Sequence, residues 1–264
     1  MPETIEAKEL QLKDIFADSY LFEIPEYQRP YAWTTEQVSD LIDDLFYSMG
    51  KDEPIGEVPP YFLGSIVIIK DSASRLSHIV DGQQRITTLS ALFCVLRELS
   101  TDDRRKNMLD RYVREDSDIF AGVEGRYRLG VRKRDEGFFQ DRIQRVGAMP
   151  GLLEHPPTDL PDSQQRMFEN AKYLWDCLSK VDESERDRLV SFLVQRCYLV
   201  VVSASDQSSA YRIFSVMNDR GLDLSPTDIL KAEIIGAMDD GVRSRYTELW
   251  EDTEEDLGRD SFRD

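Results

Sequence analysis

Apolar and polar residues change their spacing several times along this chain, and each change indicates a helix or a strand. Apolar residues recur at helical spacing in residues 38–46 and again in residues 86–99, which predicts two helices. Between them, residues 61–69 form a nearly continuous apolar run that predicts a buried strand, with residues 75–80 as its hairpin partner. Residues 198–203 predict a further short strand. The mixture predicts an α+β protein.

Local signals refine this organisation. Thr34 and Gln37 have the spacing of a capping box, which starts the first helix. Gly221 is expected to end a later helix in the left-handed conformation. After residue 100 the pattern becomes one of charged helical segments. We therefore expect a small β-containing unit in residues 1–100, packed against a mainly helical region in residues 101–264.

The charge of the chain limits its mode of action. Its 264 residues include 33 Lys and Arg against 51 Asp and Glu, a formal net charge of -18. Non-specific coating of nucleic acid depends on neutralising phosphates, so any DNA contact must be local. Basic residues are concentrated in residues 97–145, which offer one place for such a contact. The alternative for that stretch is a solvated surface of mixed charge.

The cysteines and the hydropathy favour a protein of the cytoplasm. The three cysteines have no metal-like spacing, and an odd number cannot all pair within one chain. Reduced thiols fit a reducing compartment. The N-terminus has no basic-then-apolar signal pattern, and the longest apolar runs are too short to cross a bilayer. We therefore expect a cytoplasmic protein without a membrane anchor.

The segment from residue 81 to residue 85, here called the turn, joins the hairpin to the second helix. Its sequence is Asp81-Gly82-Gln83-Gln84-Arg85. The first N–H groups of a helix lack intrahelical partners and can bind a phosphate. Gly82 allows a ligand to approach the backbone, and Arg85 adds a forked cationic donor. Asp81 would repel a polyphosphate unless Mg²⁺ lies between them or an arginine pairs with it. The alternative is an ordinary Asp-Gly turn or helix cap.

An aromatic segment, residues 27–33, is here called the arm. It offers planar and cationic groups that can stack on a nucleobase or contact an altered DNA backbone. The alternative is an arm whose aromatic residues pack on the core. Both can hold together, with Trp33 buried and Arg29 and Tyr31 facing a ligand. The residues proposed to sense DNA or its modification are Tyr27, Gln28, Arg29, Tyr31 and Trp33.

A second polar and cationic group comes later in the chain. Asn218 and Arg220 lie at the predicted helix end, and Lys231 lies one turn into the next helix. Together they are candidate phosphate-binding residues. The alternative for Lys231 alone is a solvated helix lysine.

Three motifs in a fixed order resemble those of a known family. The turn with the following Ile86-Thr87-Thr88-Leu89, the arm before it and the residue 218–225 segment after it resemble the N-terminal domain of GmrSD-type modification-dependent (type IV) restriction proteins. The resemblance implies a ParB/sulfiredoxin-like fold, use of a nucleoside triphosphate and defence against phage or modified DNA. It also brings the residue 218–231 cluster close to the turn. Members usually carry a C-terminal nuclease, and we expect the nuclease part to be absent from this chain.

Taken with these features, the resemblance implies a nucleotide-dependent sensor that hydrolyses a nucleoside triphosphate with Mg²⁺. Gln83, Gln84 and Arg85 would surround the phosphates, and Asp81 would bind Mg²⁺ or orient Arg85. Arg220 or Lys231 would offset charge that develops during transfer. The expected partners are modified or foreign DNA and a nuclease domain or separate nuclease subunit; the oligomeric state is left open. One alternative is a non-enzymatic recognition module for modified DNA. A second is a ParB-like nuclease, least favoured because the sequence has no metal-ligand cluster.

Overall fold

A six-stranded mixed sheet lies at the centre of the fold. The structure is a computed structural model that describes residues 5–71, 74–116, 125–207, 209–210, 212–213, 230–231, 234–235 and 238–257. The strands are β1 (Glu6–Gln11), β2 (Leu21–Glu23), β3 (Tyr61–Lys70), β4 (Leu76–Asp81), β5 (Leu129–Gly130) and β6 (Cys197–Ala204). Their order across the sheet is β1-β6-β3-β4-β2-β5. β3 and β4 form the predicted antiparallel hairpin, while β6 runs parallel to β3 and antiparallel to β1.

The sheet spans the boundary that we placed near residue 100. β6 lies between β1 and β3, and β5 continues the sheet beyond β2. Both β5 and β6 come from the later part of the chain, so residues 1–100 do not form the sheet by themselves. The α+β class is confirmed, whereas the assignment of separate domains and the ParB/sulfiredoxin-like relation stay predictions.

Helices cover most of the remaining described residues. They are α1 (Leu12–Ile15), α2 (Thr35–Met49), α3 (Gln83–Leu99), α4 (Asp103–Val113), α5 (Lys133–Phe139), α6 (Ala148–Glu154), α7 (Asp162–Leu178), α8 (Glu183–Arg196) and α9 (Asp240–Leu257), with a π-helical turn at Gln140–Gln144. The capping box is present at the start of α2, where Thr34 and Gln37 bond reciprocally. Within the described part of the chain, no helix is long and apolar enough to cross a membrane.

The core is built around α3, as the apolar pattern predicted. Of its 17 residues, 14 are buried, because α3 lies among α4, α7 and the sheet. Ile66, Ile68 and Ile79 of the hairpin belong to the same apolar cluster as Leu89 and Leu92 of α3. A helix buried on nearly all sides has a fixed position. Its first turn therefore provides a rigid base for a site at the end of β4.

All three cysteines are free thiols. Cys94 and Cys197 are buried, and Cys177 is partly buried. Burial raises the pKa of the Cys94 thiol to about 12. The thiol is therefore protonated and unreactive at neutral pH. Location in the cytoplasm stays a prediction.

Candidate functional site

The turn makes a sharp connection between β4 and α3. Asp81 ends the strand, and Gly82 precedes the helix in the left-handed region with φ of 93°. A Cβ atom on Gly82 would lie 2.4 Å from Cγ2 of Ile66, so only glycine fits here without movement. The first intrahelical bond runs from the Ile86 N–H to the Gly82 carbonyl at 3.0 Å. The N–H groups of the three residues between them are therefore available at the helix N-terminus.

Arg85 is seated against the neighbouring strand. Its Nη1 donates to the Ser65 carbonyl oxygen at 3.1 Å. Gly64 has φ of +109°, and a Cβ atom there would lie 3.0 Å from the Arg85 guanidinium carbon. Burial lowers the pKa of Arg85, while the charges of Asp81 and Tyr61 oppose that change. Gly64 and Ser65 thus form a backbone seat that fixes the guanidinium.

Asp81 and Arg29 complete the charged part of the site. Burial raises the pKa of Asp81, and the Gly82 N–H, Arg85 and Arg29 oppose part of the rise. The Nε of Arg29 is buried and has no hydrogen-bond partner. Neither Arg29 nor Arg85 forms an ion pair with a carboxylate in the part of the chain that the structure describes. Two half-buried cations thus share one nearby acid.

The two adjacent glutamines of the turn make different contacts. Gln84 is buried, and its Oε1 accepts from the N–H groups of Ala32 at 2.7 Å and Trp33 at 3.2 Å. Its Nε2 donates to the Pro30 carbonyl at 3.0 Å. The side chain of Gln84 is therefore committed to the arm. The Gln84 side chain is therefore not free to contact a phosphate, and of the contact that we predicted for Gln84 only one through its backbone N–H is still open.

Gln83 has a free acceptor. Its side chain is also buried, but its Oε1 has no hydrogen-bond partner. It borders a cavity of about 10 Å³, which Arg29, Thr87 and Asp135 also line. A cavity of that size holds about one water molecule. Gln83 is thus the glutamine whose side chain can bind a ligand or a water.

The arm is packed more tightly than we expected. Tyr27, Gln28 and Tyr31 are buried, whereas Arg29 and Trp33 are half-buried. Tyr31, which we expected to face a ligand, has its hydroxyl directed into the core: it lies 2.7 Å from Thr88 Oγ1 and accepts from Asn170 at 2.9 Å, so only the part of its ring that lines the small cavity beside Gln83 can meet a ligand. Burial raises the pKa of Tyr31 to about 12.

Tyr27 packs instead near Ile235 and Trp250. Of the five candidate sensing residues, Arg29 and Trp33 are therefore the two that remain partly accessible. Their role in sensing DNA stays a prediction.

The second cluster is described only at Lys231. Asn218, Arg220 and Gly221 lie outside the described residues. Lys231 is buried rather than solvated, and its Nζ lies 3.0 Å from Glu251 Oε1. Burial lowers the pKa of Lys231, and Glu251 opposes that change.

Glu251 links Lys231 to residues near the turn. Glu251 also binds Arg132, which pairs with Asp135 at 2.9 Å. Arg132 and Asp135 line the same small cavity as Gln83. Lys231 therefore reaches the surroundings of the turn through a chain of ion pairs, with its own charge already neutralised.

Part of the basic stretch at residues 97–145 is buried, and whether its exposed residues, such as Lys133 and Arg134, contact DNA stays a prediction. Arg97, Arg128 and Arg132 are all buried. Arg97 binds the Asp110 carboxylate at 2.5 Å and the Gln144 carbonyl at 2.8 Å. These side chains stabilise the fold, because a buried guanidinium needs partners for its donors.

Several contributors were not predicted from the sequence. Gly64 and Ser65 seat Arg85, and Asn170 binds the arm. Gly64 had a usable signal, because a glycine inside an apolar strand often marks a close approach by another group. Asn170 had none, since an asparagine within a helix is usually a surface residue.

A comparison with known families shows to which family the chain belongs. The family model of the GmrSD restriction endonuclease N-terminal domain matches residues 12–235. The match covers most of the chain and includes β2 to β6 and the turn. The chain therefore belongs to this family, and it is a protein of a restriction system that acts in phage defence. No curated protein matches it significantly.

Proposed function

We propose that the turn binds and hydrolyses a nucleoside triphosphate, and that this reaction is the switch of a sensor for modified or foreign DNA. One observation carries the proposal: Arg29 and Arg85, two cations without ion-pair partners in the described residues, converge with the N-terminus of α3 beside Asp81. Guanidinium groups and free helix N–H groups are the donors that proteins use for phosphate oxygens. Membership of the GmrSD family supports a role in restriction.

Mg²⁺ fits the donor set at Asp81. Mg²⁺ in nucleotide sites is usually bound by one or two carboxylates together with phosphate oxygens and water. Asp81 is a single carboxylate whose burial raises its pKa, so a cation beside it would relieve the cost of its charge. Mg²⁺ would supply charge neutralisation between Asp81 and the phosphates.

The remaining groups of the turn suit a hydrolytic step. Water attacks the terminal phosphorus, the bond to the bridging oxygen breaks, and the water proton passes to solvent or phosphate. The unpaired Oε1 of Gln83 can accept a hydrogen bond from the attacking water. Arg85, fixed by Ser65, and Arg29 would stabilise the charge on the equatorial oxygens. Lys231 would contribute only through Arg132, since Glu251 already neutralises it.

A non-enzymatic recognition module is the second candidate. The same two arginines can bind a DNA backbone, and Trp33 of the arm is partly accessible for stacking. In that case nucleotide turnover would be absent and the arm would read the modification directly. For the nuclease alternative, the described residues hold no group of three or more His, Cys, Asp or Glu side chains that could bind a metal ion.

The deciding experiment measures phosphate release from the chain with each of the four nucleoside triphosphates and Mg²⁺, with and without modified DNA. We expect release with at least one nucleotide. Arg85→Ala should weaken its binding about tenfold to a hundredfold, since a charge-assisted bond contributes about 1.5–3 kcal/mol. The melting temperature should change little.

Arg104→Ala is the matched control, because Arg104 is exposed at the start of α4, beyond the opposite end of α3. It should leave nucleotide binding unchanged. Binding of modified DNA by a chain that neither binds nor hydrolyses any nucleotide would favour the recognition module. Normal nucleotide binding by a folded Arg85→Ala variant would remove the turn as the site.

A further inference from the structure

Asn170 of α7 uses only half of its hydrogen-bonding capacity although it is buried. Its Nδ2 donates to the Tyr31 hydroxyl at 2.9 Å and to the Trp33 carbonyl at 2.7 Å. Its Oδ1 is buried without a partner. An unpaired buried acceptor destabilises a fold, so Asn170 carries a cost beside the two bonds that it donates. Its contribution to the fold therefore lies in the two groups that it binds, the Tyr31 hydroxyl and the Trp33 carbonyl.

Both contacts of Asn170 go to the arm, which α3 holds from the other side. Gln84 bonds the Pro30 carbonyl and the N–H groups of Ala32 and Trp33. The backbone of residues 30–33 is thus fixed between two helices, with polar partners from each. A segment held in this way has little freedom to shift.

Arg29 directly precedes this clamped segment and has no ion-pair partner of its own in the described residues. Its position beside Asp81 therefore depends on the backbone of the arm. We propose that Asn170 is a positioning residue, which acts through the arm to hold the Arg29 guanidinium at the anion-binding turn. This inference rests on the proposed function, because the proposed function supplies the polyphosphate that the turn and Arg29 would bind.

Docking of α7 itself does not need Asn170. Ala171 and Leu174 of α7 are buried in the core, and the Tyr173 hydroxyl donates to Ser39 of α2 at 2.7 Å. Removing the Tyr173 bond loosens α7 against α2 without touching the arm. Tyr173→Phe is therefore a matched control, one turn from Asn170 on the same helix.

The test compares Asn170→Leu with Tyr173→Phe in three measurements. These are the melting temperature, hydrogen exchange at the Ala32 and Trp33 amides, and calorimetric binding of inorganic triphosphate with Mg²⁺. For Asn170→Leu we expect a melting temperature lower by a few degrees, because the Trp33 carbonyl loses its partner, with exchange at both amides about tenfold faster and triphosphate affinity about tenfold weaker. Tyr173→Phe should alter neither the exchange nor the affinity.

The outcomes of these measurements separate a structural role of Asn170 from a failure of the proposed function. If Asn170→Leu melts at lower temperature while arm exchange and affinity stay normal, Asn170 is only structural and the inference is overturned. If the parent chain binds neither triphosphate nor any nucleotide, the proposed function fails, and arm exchange alone decides the positioning role. Should Asn170→Leu not fold, Asn170→Ser keeps one donor and should give intermediate changes in exchange and affinity; parent values would overturn the inference.

Discussion

Two groups of charged residues meet at the small cavity that Arg29, Arg132 and Asp135 line, and they are paired in opposite ways. On one side Arg29 of the arm and Arg85 of the turn lie near Asp81, and neither forms an ion pair within the described residues. On the other side Lys231, Glu251, Arg132 and Asp135 form a buried chain of alternating charge, here called the ion-pair network.

The difference separates structural charge from functional charge. Every cation of the network faces a carboxylate, so the network needs no ligand and ties α9 and Lys231 to the start of α5. Arg29 and Arg85 retain the capacity to bind an anion, and they lie near a helix N-terminus, which favours one. Cationic character alone, as read from the sequence, did not distinguish Lys231 from Arg85. The pairing and the burial of their side chains distinguish Lys231 from Arg85.

The largest expected effect comes from breaking the network. Glu251→Ala leaves Lys231 and Arg132 buried beside each other with one carboxylate fewer. Removing one member of a buried ion pair typically costs about 3–5 kcal/mol, so chemical unfolding should show a lower free energy of unfolding by about that amount.

Glu248→Ala is the control for this change, because Glu248 lies one turn earlier on α9 and is exposed. It should shift the free energy of unfolding by less than about 0.5 kcal/mol. Equal stability of the two variants would show that the network does not hold the fold, and the contrast with the turn would be lost.

A smaller loss of stability is expected at the turn. Gly82→Ala places a Cβ atom 2.4 Å from the Ile66 side chain at a φ of +93°. Overpacking together with a strained backbone should lower the free energy of unfolding by about 1–3 kcal/mol. Gly56→Ala, where an added Cβ meets nothing within 4 Å, should melt like the parent. A parent-like melting temperature for Gly82→Ala would mean that the turn has another conformation.

The parts of the fold that the sequence predicted are those with local signals. The capping box of α2, the hairpin of β3 and β4, and the buried α3 each follow from residues near in the chain. β1 was missed because it is a charged edge strand, and β5 because it has two residues. The insertion of β6 between β1 and β3 is a long-range pairing that no local pattern specifies.

The candidate site shows the same limit. The turn and the arm could be recognised, because each is a compact motif. The unlike contacts of Gln83 and Gln84 could not, since adjacent identical residues differ only in where α3 points them. The burial of Tyr31 likewise depends on Asn170, which lies 139 positions away in the chain.

Asp81 allows a test of how much an ionised carboxylate at the turn lowers the stability of the fold. Burial raises its pKa in the folded protein, so the folded state binds this proton more tightly than the unfolded chain does. Ionised Asp81 therefore destabilises the fold at neutral pH, and the effect disappears as the pH falls through its raised pKa to its ordinary value. Asp81→Asn should be more stable than the parent at pH 7 and equal to it below pH 3.8.

Two measurements accompany the Asp81→Asn variant. Unfolding curves across pH give the stability difference, and phosphate release with Mg²⁺ should be lost even though the fold is more stable. Asp52→Asn, at an exposed position, should change neither quantity. Lower stability of Asp81→Asn at neutral pH would mean that Arg29 and Arg85 outweigh burial and that the acid belongs to a structural ion pair.

The smallest effect separates the two groups by their response to salt. Added salt screens accessible charges strongly and buried pairs much less, because the screening length falls from about 10 Å at 0.1 M to about 3 Å at 1 M. Triphosphate affinity at the turn should therefore weaken about threefold to tenfold between about 0.05 and 0.5 M NaCl. The net charge of -18 acts in the opposite direction, since screening this negative charge favours binding of an anion.

The Arg85→Ala variant separates the two effects of salt. It keeps the general repulsion of the chain but loses one local cation, so its triphosphate affinity should fall less steeply with salt. The stability difference between the parent and Glu251→Ala should stay constant over the same range. A network whose contribution disappears with salt, or an Arg85→Ala variant with the parent's salt dependence, would contradict the division between paired and unpaired cations.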